Sequence, residues 1–217
     1  MPDILIYGAG GFAREVLWLI AECNAAGANY HPAGFVDDDP SHQGQTLAGL
    51  PVMGLEQAGA RFPGALFTPA IGSPLARQAV TERALAQGLR EVTLIHPATR
   101  MSPRVEVGAG SVICAGSILT VDITLGRQVQ INLDCTIGHD VRMGDFATLA
   151  PGVHVSGWVF LGARTYIGTG AVIINGTSAE PLVIGDDTVV GAGACVTRSL
   201  APGVTAVGVP ARPRERK

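Results

Sequence analysis

Residues 131–172 read INLDCT, IGHDVR, MGDFAT, LAPGVH, VSGWVF, LGARTY and IGTGAV, and Ile173 begins the next group of six. Steps of six from Val107 reach an apolar side chain twelve times in succession, ending at Ile173. Only 47% of the chain is hydrophobic, so such a run is far beyond chance. A period of six fits neither an α-helix nor simple strand alternation, and it indicates a repeat architecture.

The period predicts a three-sided prism in which each hexad forms one short strand and three hexads complete a coil of 18 residues. We expect the apolar position to point inward, beside a small residue two places earlier, as at Ser111, Ser117, Cys135, Ala147 and Ala171. Glycines follow the apolar residue where the chain bends: Gly108, Gly126, Gly138, Gly144, Gly162 and Gly168. The register breaks after Ile173, so residues 175–181 are predicted to form a loop outside the coil before the repeat resumes at Ile184. The whole repeat makes roughly five coils.

Residues 4–95 follow a different pattern, in which short apolar runs alternate with helical periodicity. It predicts strands at 4–7, 33–36, 66–71 and 92–95, with helices at 12–25 and 75–87. Such an order is typical of a small Rossmann-like parallel sheet. We therefore predict an α/β domain over residues 1–96 and an all-β domain over residues 97–217.

Composition excludes several classes of protein. The formal net charge of −3 provides no electrostatic footprint for nucleic acid or for an anionic membrane. No apolar run approaches the roughly 18 residues of a membrane helix, and the four scattered cysteines suggest reduced thiols in the cytoplasm. The basic tail, Arg212, Arg214, Arg216 and Lys217, is interpreted as a solvated end.

The hexad register resembles that of the hexapeptide-repeat acyltransferases. The segments Tyr7–Gly11, Asp37-Asp38, Ile71-Gly72-Ser73, Ile95-His96-Pro97 and Gly208–Ala211 are similar to those of nucleotide-4-amino-sugar N-acetyltransferases and the related sialic acid O-acetyltransferases. The resemblance covers the whole chain. It implies a left-handed parallel β-helix assembled as a homotrimer, with acetyl-CoA as co-substrate, a nucleotide-linked amino sugar as acceptor, and no metal. It also implies a role in the synthesis of surface polysaccharides or glycoprotein glycans.

Acyl transfer needs a base for the attacking group and a donor for the developing oxyanion. Among five histidines, His139 stands out in the segment Asn132-x6-His139-Asp140. The resemblance implies that His139 is the general base and that Asp140 orients it, although related enzymes often carry Glu there. It also implies that Asn132 contacts the substrate or the base. We expect surface or structural roles for His31, His42 and His96, and His154 has no supporting pattern.

One coil beyond His139 lies Gly157. Because glycine has no side chain, we expect a slot there for a pantetheine arm, and its N–H could donate to the thioester oxygen. The resemblance places coenzyme A in a groove between neighbouring prisms, around Gly157, Thr169, Gly191 and Ala192. A simple bend glycine remains the alternative at Gly157 and Gly191.

Gly8, Gly10 and Gly11 lie between a predicted strand and a predicted helix, a position suited to a pyrophosphate. Ala13 stands at the third glycine of a GxGxxG fingerprint, so both a dinucleotide site and a plain tight turn remain open. The resemblance implies that this cluster, with Asp37, Asp38, Gly72 and Ser73, holds a nucleotide sugar.

We therefore predict acetyl transfer to the amine of a nucleotide-linked sugar without an acyl-enzyme. An O-acetyltransferase, a carbonic-anhydrase-like metal trimer and a non-catalytic scaffold remain as alternatives. The nucleotide, whether UDP, dTDP, GDP or CMP, stays open.

Overall fold

A computed structural model describes residues 1–214. Arg216 and Lys217 of the basic tail lie outside the described residues. The chain divides into two compact units, one of residues Met1–Pro97 and one that begins at Ala98. Among the described residues, no helix combines the length and apolar character needed to cross a membrane.

The first unit, described throughout, is a Rossmann-like α/β domain. Its strands are β1 Asp3–Tyr7, β2 His31–Val36, β3 Thr46–Leu47, β4 Leu50–Met53, β5 Leu66–Pro69, β6 Arg90–Glu91 and β7 Leu94–Ile95, and its helices are α1 Gly11–Ala25, α2 Leu55–Arg61 and α3 Pro74–Ala86. The sheet has the order β3-β4-β2-β1-β5-β6, in which only β3 is antiparallel to its neighbour. The central strand β1 buries Ile4, Leu5 and Ile6 completely, as both faces of a parallel sheet require.

The final strand of this sheet differs from the sequence prediction. The strand expected at residues 92–95 is shorter, since only β7 at Leu94–Ile95 forms, and it lies outside this sheet, whose last strand is β6 at Arg90–Glu91. The chain pairs with β5 directly after α3, since the amide of Arg90 donates to the carbonyl of Ala65 at 2.9 Å. The hairpin β3-β4 and helix α2 were not predicted, because these elements are short and their apolar residues are separated by Gly and Pro.

The second unit is the parallel β-helix that the repeat predicts. Within its described residues, strands stack into three faces. The first face contains β10 Val112–Ile113, β13 Gln130–Ile131, β16 Thr148–Leu149, β19 Tyr166–Ile167, β22 Val189–Val190, β24 Thr205–Val207 and β25 Arg212–Pro213. The second face contains β8 Arg100–Met101, β11 Ile118–Leu119, β14 Thr136–Ile137, β17 His154–Val155, β20 Val172–Ile173 and β23 Cys195–Val196. The third face contains β9 Val105–Val107, β12 Ile123–Leu125, β15 Arg142–Met143, β18 Val159–Leu161 and β21 Leu182–Ile184.

Strand register confirms the coil of 18 residues. Ile131 pairs with Leu149, which pairs with Ile167. The repeated apolar residues from Ile113 to Ile173 are buried inside the prism, as are the small residues two places before them. Ile167 then pairs with Val190 rather than with the residue 18 places on, because residues 174–181 add length to that coil.

The hexad glycines are required by the close approach of successive coils. A Cβ at Gly138 would lie 2.8 Å from the amide nitrogen of Gly157, and one at Gly144 would lie 2.5 Å from that of Ala163. Neither glycine has a left-handed φ. The space between stacked coils, rather than the bend expected from the sequence, therefore explains these residues.

Candidate functional site

His139 and Asp140 lie where the chain passes from the second face to the third. We call residues 138–141 and 156–159, stacked at this edge, the second corner. The Asp140 carboxylate lies 2.8 Å from Nδ1 of His139, while its backbone has a φ of 57° and its amide donates to Val121 at 3.2 Å. The imidazole, more than half exposed, thus has Nδ1–H directed at a carboxylate. This hydrogen bond favours the tautomer in which Nε2 can accept a proton.

Gly157 lies directly against the imidazole, one coil further on. A Cβ at this position would come within 2.5 Å of both Cε1 and Nε2 of His139. The space left by the absent side chain is therefore occupied by the histidine ring, whereas the sequence suggested a passage for a pantetheine arm. Any larger residue at position 157 would displace the ring.

The amide of Gly157 is a second polar group at this corner. Its residue is buried, its carbonyl accepts from Gly176 at 3.0 Å, and no acceptor for its N–H is found among residues 1–214. At equivalent corner positions the N–H of Arg127 and of Ala163 donates to a carboxylate of the next coil, at 2.8 and 2.9 Å. Position 157 thus leaves a donor beside the imidazole.

The other residues predicted for the β-helix lie at a different edge. Asn132, Thr169, Gly191 and Ala192 occupy the passage from the first face to the second, which we call the first corner (residues 132–135, 168–171 and 191–194). The Asn132 side chain donates to the carbonyl of Leu149 at 2.9 Å. Within one chain, the predicted residues are therefore divided between two corners that border the same face.

This shared second face carries exposed apolar side chains. Ile118 of β11 and Val172 of β20 point out of the prism, and each is 39% exposed. Between them, Thr136 and His154 form a hydrogen bond of 2.8 Å between their side chains. Apolar side chains that stay exposed on a flat face are typical of a surface that another chain covers.

The glycine cluster forms an open loop at the end of β1. Gly8 has a φ of 119° and a Cβ there would meet the carbonyl of Ala70 at 3.1 Å, so the tight turn requires glycine. Within residues 1–214, no side chain or backbone lies within 4 Å of a Cβ at Gly10, and a Cβ at Gly11 would meet only the end of Arg14. Helix α1 starts at Gly11, so free amides at its start face open space.

The two adjacent aspartates play different parts in the structure. Both oxygens of the Asp37 carboxylate accept backbone amides, from Ala9 and from Asp39, each at 2.9 Å. Asp37 therefore holds the glycine loop against β2. The Asp38 carboxylate accepts from the Tyr7 hydroxyl at 2.7 Å and pairs with Arg83. Partial burial opposes ionisation of Asp38, but the hydrogen bonds from Arg83 and Tyr7 outweigh it and hold its pKa below the usual range.

Tyr7 and Arg83 were missed by sequence reasoning, since nothing in their spacing indicates contact with Asp38. Burial is the main cause that raises the pKa of the Tyr7 hydroxyl, and its hydrogen bond to Asp38 raises it further. The phenol therefore stays protonated and donates to Asp38. Asp38 and Arg83 border a cavity of about 540 Å³. The wall of this cavity is rich in polar side chains.

Gly72 and Ser73 follow β5. Gly72 faces open space, whereas the Ser73 hydroxyl caps α3 by accepting the amide of Ala76 at 3.4 Å. The carbonyl of Ile71, just before them, accepts from the guanidinium of Arg77, which is fully buried. Arg77 was not predicted, and it fixes the path of this loop.

The remaining histidines have other surroundings. His31 pairs with Asp3, His42 lies 3.5 Å from Asp37, and His96 packs against the ring of Trp18. Among the described residues, no cluster of three or more His, Cys, Asp or Glu side chains is arranged to hold a metal ion.

Comparisons with known proteins match both the first unit and the whole chain. Residues 3–84 match the family model of the PglD N-terminal domain. The chain is 33% identical to GDP-perosamine N-acetyltransferase of Escherichia coli over 97% of this chain and 96% of that protein. WeeI of Acinetobacter baumannii is similar in structure, with a TM-score of 0.91 at 34% identity, covering 98% of this chain and 99% of WeeI. PerB of Caulobacter crescentus, solved in complex with CoA and GDP-perosamine, has a TM-score of 0.85 at 32% identity, covering 99% and 98%.

Proposed function

The chain belongs to the acetyltransferase family that includes GDP-perosamine N-acetyltransferase, and we propose that it transfers an acetyl group from acetyl-CoA to the amino group of a nucleotide-linked amino sugar. The similarity extends over both units. The observation that carries the proposal is the pair His139–Asp140 packed against Gly157, which provides a base, its orienting carboxylate and a free amide at one corner.

In the proposed reaction, Nε2 of His139 accepts a proton from the sugar amine as the nitrogen attacks the thioester carbonyl. A C–N bond forms, the C–S bond breaks, and the departing thiolate takes up a proton, which the imidazolium can return. Asp140 keeps Nδ1 protonated and stabilises the imidazolium that forms. No acyl-enzyme is needed, because the amine attacks directly.

The amide of Gly157 is proposed as the donor to the oxyanion. It lies in a buried residue beside the imidazole and has no acceptor among the described residues. A preorganised N–H directed at the developing charge stabilises the transition state more than the ground state. Asp140 and Gly157 thus act on two different atoms of the reaction, and both are held by the coil backbone.

We propose a homotrimer in which the second face of each chain is covered by a neighbour. The support is the position of the two corners on either side of that face and the apolar side chains of Ile118 and Val172 between them. In such an assembly, the first corner of one copy, with Asn132, Thr169, Gly191 and Ala192, would adjoin the second corner of the next. The groove between them is the proposed site of acetyl-CoA.

The Rossmann-like unit is proposed to bind the nucleotide. The amides at the start of α1, next to Gly10 and Gly11, suit a diphosphate. Asp37 acts indirectly by fixing this loop. Asp38 follows β2, and Gly72 and Ser73 follow β5; because β2 and β5 are the neighbours of β1, these residues are proposed to contact the same ligand. GDP-perosamine is the first acceptor to test, because relatives of this chain act on it or bind it.

The test is a thiol-release assay with acetyl-CoA and a panel of nucleotide-linked amino sugars. We expect turnover with one of them and a loss of at least about 100-fold in kcat for His139→Ala. His31→Ala serves as the matched control and should keep its kcat, because His31 also pairs with an aspartate, Asp3, but has no proposed role in the reaction. Turnover only with hydroxyl acceptors, or turnover that survives His139→Ala, would contradict the proposal.

A further inference from the structure

We propose that a cavity on the third face of the β-helix binds the sugar ring of the acceptor, and that Trp158 determines which ring is accepted. The inference rests on the proposed function and adds the subsite at which its acceptor lies. The cavity measures about 280 Å³, and Asp140, Arg142, Trp158 and Phe160 contribute to its wall. Asp140 links this cavity to the proposed general base, because its carboxylate is hydrogen-bonded to His139.

Trp158 occupies a backbone position that does not suit it. Asp122, Asp140 and Trp158 stack one above another at the second corner, each with a φ of 56–57°. Aspartate tolerates this left-handed conformation, whereas a bulky aromatic residue rarely adopts it. The coils impose the conformation, since the Trp158 amide donates to His139 at 3.1 Å and its carbonyl accepts from Leu182 at 3.0 Å. Phe146 has a similar φ of 60°, but its side chain is buried, whereas Trp158 is only partly buried and lines the cavity. This difference points to a use of the Trp158 side chain other than packing.

The indole is available to a ligand. Trp158 is only partly buried, and among the described residues its N–H has no acceptor. The indole face can pack against the C–H groups of a sugar ring while its N–H donates to a hydroxyl. Next to it, the guanidinium of Arg142 lies 5.0 Å from the centre of the Phe160 ring and has no carboxylate partner in residues 1–214. Arg142 is thus held in place with donors free for ring or hydroxyl oxygens.

The charges around the cavity favour an amino sugar over the phosphates of coenzyme A. Its wall includes three carboxylates, those of Glu106, Asp122 and Asp140, and two guanidinium groups, those of Arg104 and Arg142. Arg104 already pairs with Asp122. The excess of carboxylate repels phosphate and attracts an amine. An amine-bearing ring with hydroxyls therefore fits this cavity better than the donor does.

The experiment measures KM for each substrate in Trp158→Asn and Trp158→Phe. Asparagine adopts the left-handed conformation readily, so we expect Trp158→Asn to keep or raise the melting temperature. Its KM for the amino sugar should rise at least about 10-fold, as for the loss of a well-packed contact in the site, while its KM for acetyl-CoA stays within about twofold. Trp158→Phe keeps an aromatic face but loses the N–H, and a smaller rise is expected.

Arg164→Asn is the matched control, because Arg164 also has a left-handed φ, of 55°, but lies outside the cavity and pairs with Asp187. Both KM values should be unchanged in this variant. The inference would be overturned if the KM for the amino sugar were unchanged in Trp158→Asn, or if both KM values rose equally. In either case, turnover by the wild-type enzyme would still uphold the proposed function. Absence of turnover in the wild-type enzyme would instead overturn the proposed function, and the inference with it.

Discussion

Replacing Gly157 by alanine should separate activity from stability at the second corner. The new Cβ would lie 2.5 Å from Cε1 and Nε2 of His139, whereas ordinary contacts begin at 3.4 Å, so the ring must withdraw by about 1 Å. The His139 side chain is 55% exposed and can move into solvent at little cost. Alanine also reduces the entropy of the unfolded chain, which offsets the remaining strain. We expect little change in melting temperature.

The withdrawn ring no longer holds Nε2 in line with the amine. A displacement of about 1 Å at a reacting group lowers the rate by roughly 100-fold, and we expect this loss in kcat in the thiol-release assay. The double variant Gly157→Ala/His139→Ala should be no slower than His139→Ala alone, because the methyl group acts through the ring. A kcat within about threefold of wild type for Gly157→Ala would refute the reasoning.

Gly144→Ala provides the contrast within the same prism. There the Cβ would lie 2.5 Å from the amide nitrogen of Ala163, and a backbone atom of a stacked coil cannot swing away. The free energy of unfolding should therefore fall by about 1–3 kcal/mol, with activity per folded molecule retained. If Gly144→Ala and Gly157→Ala were equally stable, a clash with the backbone would cost no more than a clash with a movable side chain, and the reasoning would be wrong.

Three further outcomes are expected. Arg83→Gln removes a partner that lowers the pKa of Asp38. Urea unfolding at pH 7 should show a destabilisation of under about 1 kcal/mol, because the ion pair is half-exposed. This difference between variant and wild type should disappear as the pH falls through the lowered pKa of Asp38. A difference that persists at low pH would contradict the assignment. Burial raises the pKa of the Cys135 thiol to about 11. Iodoacetamide at pH 8 should therefore label Cys135 only when the protein is unfolded in urea. Peptide masses that show labelling of Cys135 in the folded protein would disprove its burial. Ser73→Ala removes the cap of α3 and should cost about 1 kcal/mol of unfolding free energy, which an unchanged urea midpoint would rule out.

Part of the first unit was readable from local patterns and part was not. The strand at Ile4–Tyr7, the glycine turn and helix α1 follow from apolar runs and from residues that begin helices. The edge of the sheet was misplaced, since Arg90–Glu91 joins it through backbone hydrogen bonds that any sequence can form. The same limit applies to Asp37: its carboxylate binds two amides, one of them 28 residues away, and no local pattern indicates that contact.

The β-helix shows where sequence periodicity suffices. A spacing of six repeated from Val107 to Ile173 defines the coil, the inward residues and the place where the coil is interrupted, because each of these is a property of neighbours along the chain or of a constant offset. The same constant offset of 18 places Gly157 over His139. These features depend only on repetition, so counting along the chain recovers them.

Other features depend on the shape that the repetition builds. Only the three-dimensional structure fills the space at Gly157 with the imidazole and places Trp158 beside Arg142 and Phe160 around a cavity. Counting predicts which backbone positions stack, but the direction, rotamer and free volume of each side chain are set by packing against other coils. The period of six was therefore enough to predict the prism, whereas the geometry of the site arises from contacts between residues that share no pattern in the sequence.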